Sequence, residues 1–396
     1  MISERMKAFT ANSSVIRAMF EEGKKMAALY GKENVYDFSL GNPSVEPPKS
    51  VKEAIIKILN NESPNFVHGY TNNSGYEDVR KYIADSTNRE FGTKFDVENI
   101  VMTCGAAGAL NIIFKSILNP DDEVIVFAPF FGEYNAYVKS YDGKLVIVEA
   151  DTETFQLNTE AFKSKITDKT KAVIINTPNN PSGVVYSEDT LKKLSEILVE
   201  AENKIGHPIY LISDEPYRRL VYDNIEVPFV SKYYKNTFVA YSFSKSLSLP
   251  GERIGYIIAN SELDGFEEMM NALNVANRIT GFVNAPSLFQ RVLPYCMDEK
   301  ADIETYDKNR KLLYSMLTDL GFECIKPEGA FYMFPKTLIK DDVAFCNSAK
   351  EFRILSTPGS AFSCPGHFRL SYCVSTETIE RSYDSFKALA KKYLGW

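Results

Sequence analysis

The run FVAYSFSKSLSLPGERIGY places a lysine, Lys245, where an apolar, strand-like segment gives way to small hydroxyl residues. An amine shielded from water at such a place can act as a nucleophile and form an imine with a carbonyl carbon. Ser242 and Ser244 precede it, and Arg253 follows eight residues later, beyond the Pro250-Gly251 turn. Hydroxyls and a guanidinium together suit an oxyanion such as a phosphate.

Other stretches carry complementary groups. SDEPY supplies Asp214 and Tyr217, NTPNNPSG supplies Asn176, Asn179 and Asn180, and PFFGEY supplies Phe131. TCGAAGAL, with Gly105, Ala106 and Ala107, is a small-residue turn running into a helical pattern. Taken singly, each has an ordinary explanation: turn chemistry for Asn180, a helix cap for Asp214, packing for Phe131 and a tight junction for the glycine turn. One ligand would use all of them, a planar, phosphorylated aromatic aldehyde. The lysine would anchor its aldehyde, and a carboxylate would keep a ring nitrogen protonated so that the ring accepts electrons. An aromatic side chain would stack on the ring, an amide or phenol would meet its phenolic oxygen, and helix N-terminal amides would hold the phosphate.

These residues need a scaffold that brings them to one edge. Short apolar runs at 122–129, 144–150, 171–178, 208–216, 236–244 and 255–260 alternate with amphipathic stretches such as GALNIIFKSIL and SEDTLKKLSEILVEAENK. That alternation predicts an α/β fold, with a mostly parallel sheet covered by helices on both faces. In such sheets ligands lie beyond the carboxyl ends of the strands, where the polar residues above fall. Both ends of the chain differ from this middle: a helix-like stretch and the turn-rich LGNPSVEPP precede it, and long amphipathic helices with short strands (GAFYMFP, HFRLSYCV) follow. A smaller α+β domain built from both termini is therefore expected. The expected division is an arm and part of the small domain at 1–47, the large domain at 48–290 and the small domain at 291–396.

Composition narrows the function classes. The chain has 396 residues with 44% hydrophobic and 24% charged side chains, ordinary for a globular protein. A formal charge of −7 argues against nucleic acid or an anionic membrane as partner. The polar start MISERMKAFTANSS has no signal-peptide core, and no apolar run is long enough to span a bilayer, so a cytoplasmic location is expected. Six scattered cysteines form no C-x-x-C pair and three histidines no H-E-x-x-H, which leaves reduced thiols and no metal site as the expectation.

In order and spacing these motifs make the chain, from about residue 36 to 375, similar to class I/II aminotransferases, the aspartate aminotransferase superfamily of fold-type-I pyridoxal-phosphate enzymes. SFSKSLSLPGERIGY resembles the family's S-x-S-K…G-x-R-x-G signature, which implies Lys245 as covalent anchor and proton shuttle, with Ser242, Ser244 and Arg253 on the phosphate. NTPNNPSG resembles the N-P-x-N-P-[ST]-G loop and SDEPY the D-E-x-Y motif. They imply Asp214 on the pyridine nitrogen, and Asn180 and Tyr217 on the phenolic oxygen. TCGAAGAL resembles the phosphate turn, with Gly105, Ala106 and Ala107, and Phe131 falls where the family stacks an aromatic. Arg369, in HFRLSY, matches the arginine that pairs with a substrate α-carboxylate, Gly41 the flexible turn closing over the substrate, and Asn180 also borders that substrate. Tyr70 resembles the tyrosine that reaches a neighbouring subunit's phosphate, which implies a homodimer with shared active sites. The implied activity is transfer of an amino group from an L-amino acid, of aspartate or aromatic type, to a 2-oxo acid. A C–S β-lyase and a non-catalytic ligand-binding regulator are the alternatives. Ala107 stands where some relatives carry a lysine for a distal carboxylate, and Arg278 is a candidate cross-subunit arginine by position.

Overall fold

The computed structural model describes residues 2–11 and 15–395. Its centre is a seven-stranded sheet: β1 (Ile100–Thr103), β2 (Glu123–Phe127), β3 (Lys144–Val148), β4 (Thr170–Asn176), β5 (Tyr210–Asp214), β6 (Thr237–Ser242) and β7 (Gly255–Ala259). Their spatial order is β1-β7-β6-β5-β4-β2-β3. Only β7 runs antiparallel to its neighbours, β1 and β6. Strands β4, β5 and β6 are almost entirely buried, as their Ile- and Val-rich sequences require when helices cover both faces.

The covering helices follow from their sequences. Helix Glu188–Ile205 buries Leu191, Leu194, Leu198 and Ala201, a stripe at helical spacing, and Ser187 caps it by accepting the Thr190 amide hydrogen at 3.1 Å. It stops at Gly206, whose φ of 85° lies in the left-handed region that a helix C-cap favours.

A second group of elements forms the three-stranded sheet β8 (Tyr332–Met333), β9 (Thr357–Pro358) and β10 (Phe368–Ser371), ordered β9-β10-β8 and antiparallel. A parallel pairing of Tyr36–Asp37 with Ile354–Leu355 ties the early chain to the late chain. Phe38, Phe322, Phe345, Phe368 and Phe386 share the core beneath it. Among the described residues no helix is long and apolar enough to cross a membrane, no side-chain group could hold a metal ion, and the six cysteines are free.

Candidate active site

Strand register assembles the site. Asn176 at the end of β4 pairs with Asp214 at the end of β5, and β6 delivers Ser242 beside them. Asn176 then ties the corner together, donating from Nδ2 to the Asp214 carbonyl at 2.7 Å and accepting the Asn180 amide hydrogen at 2.8 Å. A cavity of about 390 Å³ lies beyond these strand ends. Every candidate named from the sequence lines it except Gly105, Asn179, Tyr70 and Arg278.

Lys245 sits on a one-turn helix, Phe243–Ser246, directly after β6. Its Nζ donates to the Gly41 carbonyl at 2.7 Å and lies 5.3 Å from the Phe331 ring centroid. Burial, with the nearby Arg369 and Arg253 charges acting the same way, lowers its amine to about 8. Asp214 is buried; its Oδ2 accepts the Tyr134 hydroxyl hydrogen at 2.6 Å, while its Oδ1 has no partner. Burial pushes this carboxyl up to about 7, although the Tyr134 bond pulls the other way. A buried carboxylate oxygen without a donor calls for a cationic N–H from a ligand.

The opposite corner suits an anion. Helix Gly105–Ile117 begins without a side-chain cap from Cys104, so the first-turn amides of Ala106 and Ala107 are not taken by one. Gly105, at φ 72°, sits in the left-handed region that favours glycine, and a Cβ there would lie 2.9 Å from Arg253 Nη2 and push that guanidinium aside. A Cβ at Gly255 would lie 3.0 Å from the Gly105 Cα, so β7 and the Gly105 turn pack backbone to backbone. Arg253 itself is left-handed, at φ 51°, and the Ser242 and Ser244 hydroxyls are 2.7 Å apart.

Arg369 is buried on β10, donating to Asn180 Oδ1 at 3.1 Å and to the Ser39 carbonyl at 2.7 Å. Its guanidinium lies between the Tyr332 and Phe362 rings, 4.6 and 4.8 Å from their centroids. Its Nε has no partner, and among the described residues no carboxylate pairs with it. A buried, unpaired guanidinium held this way has the geometry and charge to receive a carboxylate. Phe131 lines the cavity and meets the Tyr134 ring edge-on at 5.7 Å. Tyr70 stands 89% exposed and Arg278 is exposed at the end of helix Phe266–Ile279, both away from this cavity.

Sequence reasoning missed Tyr332. Its hydroxyl is 3.0 Å from that of Tyr217, and a Cβ at Gly41 would lie 2.0 Å from the same oxygen. The available signal was its place in a short strand of the small sheet, where it pairs with Ser371 beside Arg369. The role of Tyr134 is likewise not marked in the sequence, because its bond to Asp214 spans eighty residues of chain.

A doubly covered sheet that presents a lysine, a buried carboxylate and an uncapped helix at one edge defines a fold-type-I enzyme site. The chain belongs to the aminotransferase class I and II family, whose model matches residues 33–386. It is 30% identical to the aspartate aminotransferase of Bacillus subtilis, over 99% of each chain. It is 33% identical to a probable aspartate/prephenate aminotransferase of Aquifex aeolicus, over 87% of this chain and 88% of that one. An aminotransferase crystal structure from Eubacterium rectale superposes with a TM-score of 0.97 at 48% identity, covering 99% of both chains. The aspartate aminotransferase of Thermus thermophilus with maleate gives 0.87 at 27% identity, covering 98% of this chain and 99% of that one. The protein is thus an aminotransferase, and these relatives do not favour the lyase or regulator alternatives.

Proposed function

We propose that this aminotransferase uses pyridoxal phosphate to move the α-amino group of an L-amino acid to a 2-oxo acid, acting as a cytoplasmic homodimer. The observation that carries the cofactor reading is the orphaned Asp214 Oδ1, buried in the same cavity as Lys245. The residues present fit the group. Lys245 would hold the aldehyde carbon, Asp214 the ring nitrogen, and Asn180 and Tyr217 the phenolic oxygen. Phe131 would cover the ring, while Ser242, Ser244, Arg253 and the amides following Gly105 would hold the phosphate. When bound, the cofactor supplies an electron-accepting ring for a carbanion at the substrate Cα.

The chain's own groups do the rest. Arg369 binds the substrate carboxylate, with Asn180 and Gly41 bordering it, and so fixes which Cα bond faces Lys245. An amine lowered to about 8 is partly neutral at physiological pH, so Lys245 can take and return the Cα proton. Asp214, as a carboxylate, would supply the counter-charge for a protonated ring nitrogen.

The relatives' names support an acidic amino donor, and the aromatic side chains of Phe131 and Tyr137 in the cavity lining leave an aromatic donor as the second reading. The cations lining the cavity are Lys245, Arg253 and Arg369, so a distal carboxylate would need a group from elsewhere, such as Arg278 of a second subunit. The exposed Tyr70 supports a similar crossing to a partner's phosphate, and exposed Ile56, Leu59 and Phe66 nearby in sequence supply apolar surface for the contact. The test is a panel of amino acids against holoenzyme, read as bleaching of the visible band and release of the 2-oxo acid. Acidic or aromatic donors should convert, and the Lys245→Ala variant should not. Full turnover in that variant would sink the assignment.

A further inference from the structure

To meet the cofactor's phenolic oxygen, the Tyr217 hydroxyl has to be held in place, and one side chain is positioned to hold it. The Tyr217 and Tyr332 oxygens are 3.0 Å apart, and either could donate. Both side chains are buried, at 5% and 3% exposure. Burial raises both phenols, Tyr332 to about 12 and Tyr217 well above its ordinary value, so each keeps its hydrogen at neutral pH.

The one hydrogen that each phenol carries decides the direction. Among the described residues, Tyr332 has no hydrogen-bond partner other than Tyr217. Tyr217 has a single hydrogen, and in the reading above that hydrogen goes to the cofactor's phenolic oxygen, so the bond between the two phenols has to be made by the Tyr332 hydrogen. Were Tyr332 the donor, its hydrogen is satisfied and the Tyr217 hydrogen is free to enter the cavity that both residues line. Three contacts fix the Tyr332 ring: Arg369 lies over its face, Tyr217 meets it edge-on at 5.6 Å, and the bare Cα of Gly41 leaves room for its hydroxyl.

We propose that Tyr332 is a positioning residue that donates to Tyr217 and thereby directs the Tyr217 hydroxyl toward the cofactor's phenolic oxygen. This rests on the pyridoxal-phosphate reading above. A phenol that accepts one hydrogen bond is a stronger donor in the next. Stronger donation stabilises the phenolate and so favours the deprotonated form of the bound chromophore. The other charged or titratable groups facing this pair are Arg369, Asp214, Cys373, Tyr134 and Lys245, and all remain when Tyr332 loses its hydroxyl.

The experiment is a visible-absorbance pH titration of holoenzyme for the parent, Tyr332→Phe, Tyr217→Phe and the double variant. Tyr332→Phe keeps the ring under Arg369 and removes only the donor. Its visible transition should move to higher pH by about 0.5 to 1 unit, the worth of one ordinary hydrogen bond. Tyr217→Phe should move it further in the same direction, and adding Tyr332→Phe to that background should change nothing more. An unmoved transition in Tyr332→Phe overturns the proposal, as does an equal shift with or without the Tyr217 hydroxyl. Loss of the band in Tyr332→Phe alone also overturns it, since one hydroxyl would then be holding the cofactor rather than orienting Tyr217. Absence of a visible band in the parent would instead refute the cofactor assignment.

Discussion

Asp214 should make the cofactor-free protein less stable than it could be, and Asp214→Asn exposes this. Its buried carboxyl titrates at about 7, against an ordinary value of 3.8. Between those two pH values the folded protein holds a proton that the unfolded chain has released, so stability falls as pH rises from about 4 to about 7. At ~1.4 kcal/mol per pH unit the accumulated cost approaches ~4 kcal/mol at pH 8. Asparagine has the same shape, accepts the Tyr134 hydrogen through its carbonyl oxygen and carries no charge. Urea unfolding of the cofactor-free proteins should therefore find Asp214→Asn more stable by ~2–4 kcal/mol at pH 8, narrowing to under ~2 kcal/mol at pH 5. With pyridoxal phosphate bound the ranking should reverse, and turnover should fall at least a hundredfold, because the ring nitrogen has lost its counter-charge. A gap that does not change with pH, or a variant less stable at pH 8, would show that Asp214 carries no desolvated charge.

Lys245 gives a pH prediction of opposite sign. Burial favours its neutral form in the folded protein, so the rate at which cofactor-free enzyme captures pyridoxal phosphate should rise with pH and level off above about 8. A midpoint near 10, as for an exposed lysine, would contradict the burial argument. Gly41→Ala should displace the Tyr332 ring, whose hydroxyl would otherwise lie 2.0 Å from the new Cβ. Steady-state kinetics should show KM for the amino donor raised about tenfold or more, a loss of ~1.4 kcal/mol in binding, with a smaller change in kcat.

Much of the site was legible because its chemistry is local in sequence. Ser242, Ser244, Lys245 and Arg253 fall within one strand–turn–strand segment, and Asp214 with Tyr217 in another. The strands themselves were readable from apolar runs, but the reversed direction of β7 was not. GYIIAN has the same composition as the parallel strands and is buried throughout, so no alternation marks its direction. Lys245 also lies past the end of β6 on its own helical turn, which aims its amine back at Gly41 rather than along the strand. Tyr332 was invisible for a different reason: its contacts with Gly41, Tyr217 and Arg369 come from distant parts of the chain, and only the folded small sheet brings them together. The demand for glycine at position 41 follows from that tyrosine, so neither residue could be understood alone.

The most direct test of the central claim is reduction of the holoenzyme with borohydride, followed by digestion and mass spectrometry. A covalent pyridoxyl phosphate adduct should appear on the peptide containing Lys245 and be absent from the Lys245→Ala variant. An adduct on another lysine, with that peptide unmodified, would contradict the assignment of Lys245 as the cofactor's anchor.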